Sequence, residues 1–504
     1  MSGAAIAQAA VRALAERISA DPAGRPDAEA ADALHRLNFA DPGAAWPLLL
    51  ESQAILARPD QLAVLLSTLA ALPEPGRNLL RFVRIAGSAE AKAARRRLSR
   101  DGRALEFLLR LFALAPGLAE ILAARPVLLP GLLAGELWPG DAAAPSLPPA
   151  ADSLDAAISA CRRWLNQRRL GLGAAIIAGE RDAGEAGACY TGLAEAVVQQ
   201  LLSAVQQEFR RRHGTVAEAR FAVFALGKLG GREMTAGSDL DLVLVFDAPD
   251  LHRPSDGAQP LIAGVYFRRL CNAVLAALSE RQGAEALYEI DVRLSPWART
   301  AAAATGFESF RRYYAGDAWT WERMALTRGR AIAGDAGLRA ALEAAARTVL
   351  SAPRDGARLL RDVDQMRRRI ARHHRPEGPW DVKRRPGGLV DAEFVAQYLM
   401  LREAPARPEV LAVGTADAAQ RLAAAGALTA AESKLLATAV RLWLRLSCLA
   451  RLTEGATTAE AERKRLIAES AGTNLEALEG EIEATGGGVR ALYERLIARP
   501  AAAA

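Results

Sequence analysis

The stretch GKLGGREMTAGSDLDLVLVFD, Gly227 to Asp247, sets a glycine-rich loop against a strongly apolar run that opens on two aspartates. Side chains alternate faces along an extended strand. DLDLVLVFD therefore predicts Asp239 and Asp241 on one side, with α-carbons about 7 Å apart, and Leu240, Leu242 and Leu244 on the other. Asp247 stands too far along that face to join the pair. Two unpaired carboxylates beside a buried strand repel each other and resist desolvation, so a fold keeps them where they are wet, paired or bound to a cation. A bare DxD also suits a hydrated strand end, and its surroundings have to decide.

A third acid, Asp291, lies in a second strand-like run, YEIDVRL. If the two strands are neighbours, three carboxylates face one cluster and can hold magnesium through oxygen ligands, with phosphate oxygens completing the shell. The loop supplies the anion side. Gly227, Gly230 and Gly231 let backbone N–H groups come close to a phosphate, and Lys228, one of only five lysines, adds a compact positive charge. A Walker A loop is excluded: Ala222 stands where its first glycine is needed, Leu229 follows the lysine where Ser or Thr is needed, and a strand rather than a helix comes next.

Outward from this stretch, periodicity predicts an α+β chain that is mostly α-helical, with one small mixed sheet flanked by helical regions. Apolar residues at three- and four-residue spacing make 1–137 a helical domain, and WPGDAAAPSLPPAAD, 138–152, reads as a linker. Helices over about 153–180 and 190–213 lead into the strands RFAVFALG, DLDLVLVFD and ALYEIDVRL, with a helix near 260–281 between the last two. The segment 153–335 is thus the candidate catalytic domain. From about 304 the pattern reads as helical again, and 336–504 as a C-terminal helical bundle.

A chain of 504 residues has room for several buried cores, and 51% hydrophobic with 24% charged residues is a globular composition. No run of about twenty apolar residues marks a membrane span, and the first helix lacks the features of a cleaved leader, which points to a cytoplasmic protein. Four cysteines far apart, with no CxxC, argue against a zinc site or a disulfide framework. The net charge of +6 is modest, and the basic runs carry no interleaved aromatics, which argues against nucleic acid as a partner.

Gly227-Lys228, then Ser238-Asp239-Leu240-Asp241, then Asp291 resembles the active-site pattern of the nucleotidyltransferase superfamily related to DNA polymerase β. FALGKLGGREMTAGSDLDLVLVFD, LYEIDVRLSP, AWTWERMALTRGRAIAGD and WDVKRRPGGLVDAEFVAQYL are similar to the glutamine synthetase adenylyltransferase family, most closely to its C-terminal, adenylylating half. That resemblance implies transfer of AMP from Mg-ATP to a tyrosine hydroxyl of glutamine synthetase with loss of pyrophosphate. It implies Asp239, Asp241 and Asp291 as catalytic metal ligands, and Gly227, Lys228, Gly230, Gly231, Ser238, Arg328 and Lys383 as the nucleotide-binding set. Glutamine synthetase and a PII-type signalling protein are the implied partners. Family members usually carry two such domains; this chain shows one pattern, as expected of a half-length member or a split gene. A loop RLRPxGxxG is common in the family after the third acid, whereas here Arg293 to Ala301 reads RLSPWARTA, with Arg299 as a substitute cation. A nucleotidyltransferase acting on RNA or a small molecule, and an inactive regulatory protein, stay open as alternatives.

Other residues have plainer readings. Trp319 and Trp321 are expected to pack into a core or domain seam, and His373 and His374 to lie at the surface. Glu322, Arg328 and Arg330 read equally as exposed helix pairs or, for an arginine, as a fork on the triphosphate. Lys383, before Pro386-Gly387-Gly388, reads as a turn residue paired to Glu393 or as part of the site wall.

Overall fold

The computed structural model describes residues 3–20, 25–137, 147–148, 151–282, 285–291, 304–456 and 460–503. Most of the expected linker and the whole of Arg293 to Ala301 lie outside them. The chain forms two compact units, one of residues 1–141, 166–182 and 449–475, the other of 142–165, 183–448 and 476–504.

The first unit is all helix among the described residues. Its helix starts are written in the sequence: Asp27, Asp41 and Asp101 cap their helices by accepting from the N–H of Ala30, Ala44 and Ala104, and Pro42, Pro59, Pro75 and Pro116 occupy first turns. Leu62, Leu65, Leu66 and Leu69, at helical spacing on one face, are fully buried, as are Leu105, Leu108, Leu109 and Phe112. No single helix among the described residues is long and apolar enough to cross a membrane. No disulfide joins the cysteines, and burial pushes the Cys161 thiol up to about 12.

The second unit is built on a mixed sheet. Its strands are β1 (Arg220–Ala225), β2 (Leu240–Asp247), β3 (Ile290–Asp291), β4 (Ala304–Gly306) and β5 (Arg330–Gly334). The order is β3-β2-β1-β5, with β4 also on β2. β1 runs antiparallel to β2 and to β5, whereas β3 and β4 run parallel to β2. Val243, Leu244, Val245 and Phe246 of β2 are all buried, so helices cover both faces. On one face Phe267 of α1 (Ala263–Leu278) stacks on Phe246 with ring centroids 4.7 Å apart; on the other, Phe310 of α2 (Phe307–Ala315) meets Phe224 at 5.6 Å.

The mostly helical α+β expectation describes the chain. The purely helical reading after 304 does not: β4 and β5 are strands, and β5 is short, alternates buried and half-exposed residues, and ends at Gly334 with φ +100. Such a five-residue alternation is too brief to stand out between helical patterns. The helices around it are α3 (Thr320–Leu326), just before β5, and after β5 α4 (Gly356–His373), α5 (Leu389–Glu403) and α6 (Thr415–Ala424), with further helices to the end of the described residues.

Candidate active site

The loop from β1 to β2 begins where Leu226 N–H donates to the Asp241 carbonyl at 2.9 Å, which extends the β1–β2 ladder past its last residue. Gly227 then turns with φ +57. A β-carbon there would stand 1.9 Å from Asp241 Oδ2, so only glycine lets the loop lie against that carboxyl group. Ser238 closes the other end: its Oγ accepts from Thr235 N–H at 2.8 Å and lies 3.0 Å from Thr235 Oγ1.

The three acids come together through the sheet. Leu240 N–H donates to the Glu289 carbonyl at 2.9 Å, and the parallel register places Leu240 beside Ile290 and Asp241 beside Asp291. Partners in register on neighbouring strands project to the same face, one strand spacing of about 4.8 Å apart. Asp239 precedes Asp241 by two residues and is exposed, while Asp241 and Asp291 are half-buried. The Asp241 carboxyl is pushed up to about 6, by burial first and then by the charges of Asp291 and Asp239; Arg328 and Lys383 oppose that rise. Carboxylate oxygens brought this close are the donors that a hard divalent cation suits. Among the described residues no three His, Cys, Asp or Glu side chains already stand in a metal-holding arrangement, so the backbone brings these acids side by side without closing them into a coordination shell.

The basic residues divide into two groups. Lys383 is exposed, makes no ion pair among the described residues, and is near enough to act on Asp241; the expected pairing with Glu393 is absent. Its turn is fixed from behind. The Asp391 carboxylate accepts from Gly387 N–H at 2.6 Å and from Arg367, and Gly387, at φ +76, would drive a β-carbon to 1.9 Å from the Gly486 carbonyl. Lys228 is half-buried in the one-turn helix Gly227–Gly230.

Arg328 is buried instead of exposed, and its fork is already engaged: Nη2 donates to Glu233 at 2.6 Å and Nη1 to Glu393 on α5. Burial works against its charge, but the two carboxylates more than offset this, so its pKa is raised. Gly230 and Gly231 are buried against it. β-carbons on them would approach the Arg328 carbonyl to 1.9 Å and its Nε to 2.5 Å, so the need for glycine at these two positions is met inside the protein. Arg330, read as an exposed helix residue, opens β5 and donates to the Gly230 carbonyl at 3.0 Å and to Glu195. Glu322, also read as exposed, is buried, accepting from Trp319 N–H at 2.8 Å and from Tyr313.

Sequence reasoning missed Glu233. It is buried, accepts from Thr415 N–H at 2.6 Å at the start of α6, and ties the loop to Arg328; desolvation raises its pKa against the pull of that arginine. Nothing in GGREMTAG distinguishes it from a solvated glutamate. Trp319 is a correction of another kind: it is 61% exposed, not packed in a core. His373 and His374 are exposed.

With this geometry in hand, comparison with known proteins adds two family matches. The glutamate-ammonia ligase adenylyltransferase family matches residues 105–345, and the GlnD PII-uridylyltransferase family matches residues 358–497. The bifunctional glutamine synthetase adenylyltransferase/adenylyl-removing enzyme of Xanthobacter autotrophicus is 34% identical over 500 residues, 94% of this chain and 51% of that enzyme. Its counterpart in Bradyrhizobium diazoefficiens is 33% identical over 449 residues, 86% of this chain and 45% of the enzyme. The Brucella suis enzyme is 38% identical over 311 residues, 60% of this chain and 32% of the enzyme. The chain spans about half the length, or less, of these relatives.

Proposed function

We propose that this chain, a relative of the glutamate-ammonia ligase adenylyltransferases, transfers AMP from ATP to a tyrosine hydroxyl of glutamine synthetase, in the cytoplasm, with release of pyrophosphate. The observation that carries the reading is the parallel register of β2 with β3, which sets Asp291 beside Asp241 in front of a loop whose Gly227 keeps the Asp241 carboxyl uncovered.

In this reading the hydroxyl oxygen attacks the α-phosphorus, a new O–P bond forms, and the bond to the β-phosphate oxygen breaks. The hydroxyl proton goes to the Asp291 carboxylate, which stands on the strand next to Asp241. Asp239, Asp241 and Asp291 would hold magnesium, which neutralises phosphate charge and favours ionisation of the hydroxyl. Lys383 and Lys228 are the cations for the departing polyphosphate. Arg328 acts from beneath: held by Glu233 and Glu393, it carries Gly230 and Gly231 on its own surface and favours the ionised form of Asp241. Ser238 holds the loop's return into β2. The likeness of residues 358–497 to PII-uridylyltransferases supports a PII-type nitrogen-signalling protein as the regulatory partner of the C-terminal helices.

The test is incubation with glutamine synthetase, magnesium and α-labelled ATP, for the native chain and for the Asp239→Asn/Asp241→Asn variant. Label on a tyrosine with the native chain alone is the expected result. Label on neither protein, or equal label from both chains, overturns the reading.

A further inference from the structure

On the second unit lies a groove built from the segment before α3, residues of α3 and one face of α4. A cavity of about 760 Å³ runs into a second of about 520 Å³, and Trp319, Trp321, Met366 and Arg369 line both. Arg358, Asp362, Met366, Arg369 and Arg372 recur at three- and four-residue spacing, so one stripe of α4 forms the wall. The opposite stripe, Leu360, Val363, Asp364 and Arg367, is buried in the unit. None of the acids, glycines or lysines of the candidate active site lines either cavity.

The chemistry of the groove is specific. Trp319 presents most of its indole to solvent, Trp321 and Met366 are half-buried beside it, and Arg369 and Arg372 are exposed with no ion pair among the described residues. Trp, Met and Arg together, with lysine absent from the lining, is the composition of protein–protein contact centres, where an aromatic anchor packs and an arginine fork takes a carboxylate. A nucleic acid fits less well. Asp317, Asp355 and Asp362 also line the groove, and Arg323 and Arg354 are already donating to main-chain carbonyls, so the open positive charge is confined to a short stretch of α4, enough for one or two carboxylates but not for a run of phosphates. Two open forks flanking an apolar anchor complement a short acidic segment.

We propose that this groove docks an acidic segment, carrying an apolar side chain for the Trp319 face, of the protein that the active site modifies. The proposal rests on the reading that the acceptor is a protein. It assigns acceptor recognition to a surface that touches neither ATP nor the reacting atoms, so it would set acceptor affinity and leave nucleotide affinity alone.

The test uses the full chain with Trp319→Ala, and separately with Arg369→Glu/Arg372→Glu. All three side chains are exposed, and thermal melts confirm folding. Binding of glutamine synthetase to the immobilised chain is measured alongside magnesium-ATP binding by calorimetry and AMP transfer. The expected result is at least a tenfold rise in the Kd for glutamine synthetase in both variants with unchanged ATP affinity. Unchanged Kd, with AMP transfer intact in the native chain, overturns the groove and leaves the proposed function standing. Native chain that binds glutamine synthetase through the groove but transfers no AMP defeats the proposed function and supports the groove. Native chain that does not bind glutamine synthetase at all overturns the groove. Retention of a single-stranded oligonucleotide or of phosphatidylserine vesicles that is lost in the same variants also overturns it, in favour of those ligands.

Discussion

Replacing Asp241 by Asn should abolish the proposed AMP transfer and make the metal-free protein more stable. The Asp241 carboxyl is raised from 3.8 to about 6 by burial and by Asp291 and Asp239. A carboxyl whose folded pKa lies above its unfolded value binds more protons when folded, so it contributes a destabilisation that sets in as pH rises from about 4 and is complete above about 6. A shift of about two units corresponds to about 3 kcal/mol at pH 8. At pH 5 roughly half of that is present, since the unfolded form is by then ionised and the folded form mostly is not. The asparagine variant removes the charge and keeps the shape beside Gly227. The assay is urea unfolding of both proteins in EDTA at pH 5 and pH 8, followed by tryptophan fluorescence. The variant should be the more stable at both, with its advantage about twice as large at pH 8, and magnesium with ATP should then stabilise the native chain more than the variant. An advantage that is absent at pH 8, or equal at the two pH values, refutes the account of a carboxyl raised by burial and by its acidic neighbours.

Gly227→Ala places a β-carbon 1.9 Å from Asp241 Oδ2 in a left-handed backbone, so steady-state kinetics should show AMP transfer reduced by about a hundredfold or more, with stability down by about 1–3 kcal/mol. Glu233→Ala leaves the buried Arg328 with Glu393 as its remaining carboxylate; about 3–5 kcal/mol of stability should be lost, measured by urea unfolding, and a smaller loss for Arg330→Ala would separate a buried pair from a half-buried one. Gly387→Ala meets the Gly486 carbonyl at 1.9 Å and should displace Lys383; the expected readout is weaker ATP binding in calorimetry with the Asp239 and Asp241 positions intact. Trp443→Ala removes a fully buried side chain and should cost about 3–5 kcal/mol in the same unfolding assay.

The strands that carry the acids were legible because their signals are local: alternation and an apolar run define β2, and Asp291 sits between Ile290 and Val292 in a run of the same kind. That β2 and β3 are neighbours is not a local property, and only the motif likeness suggested it. The buried charges were out of reach for the same reason. Arg328 becomes an interior residue through Glu233, 95 positions before it, and Glu393, 65 positions after it, and without those partners an arginine near a helix end reads as solvated. Trp319 misled in the opposite sense, because a large aromatic is buried on average and its exposure is visible only once α4 supplies the other wall of the groove.

The pairing of β3 with β2 fixes the third acid through two residues in register, and everything from Ala248 to Glu289 intervenes. The turn at Asp250, Leu251 and His252 is exposed within that interval. A protease nick there would leave two acids on one fragment and one on the other, and recovery of turnover on mixing the fragments would report the return of β3 and β4 to β2 and of β5 to β1.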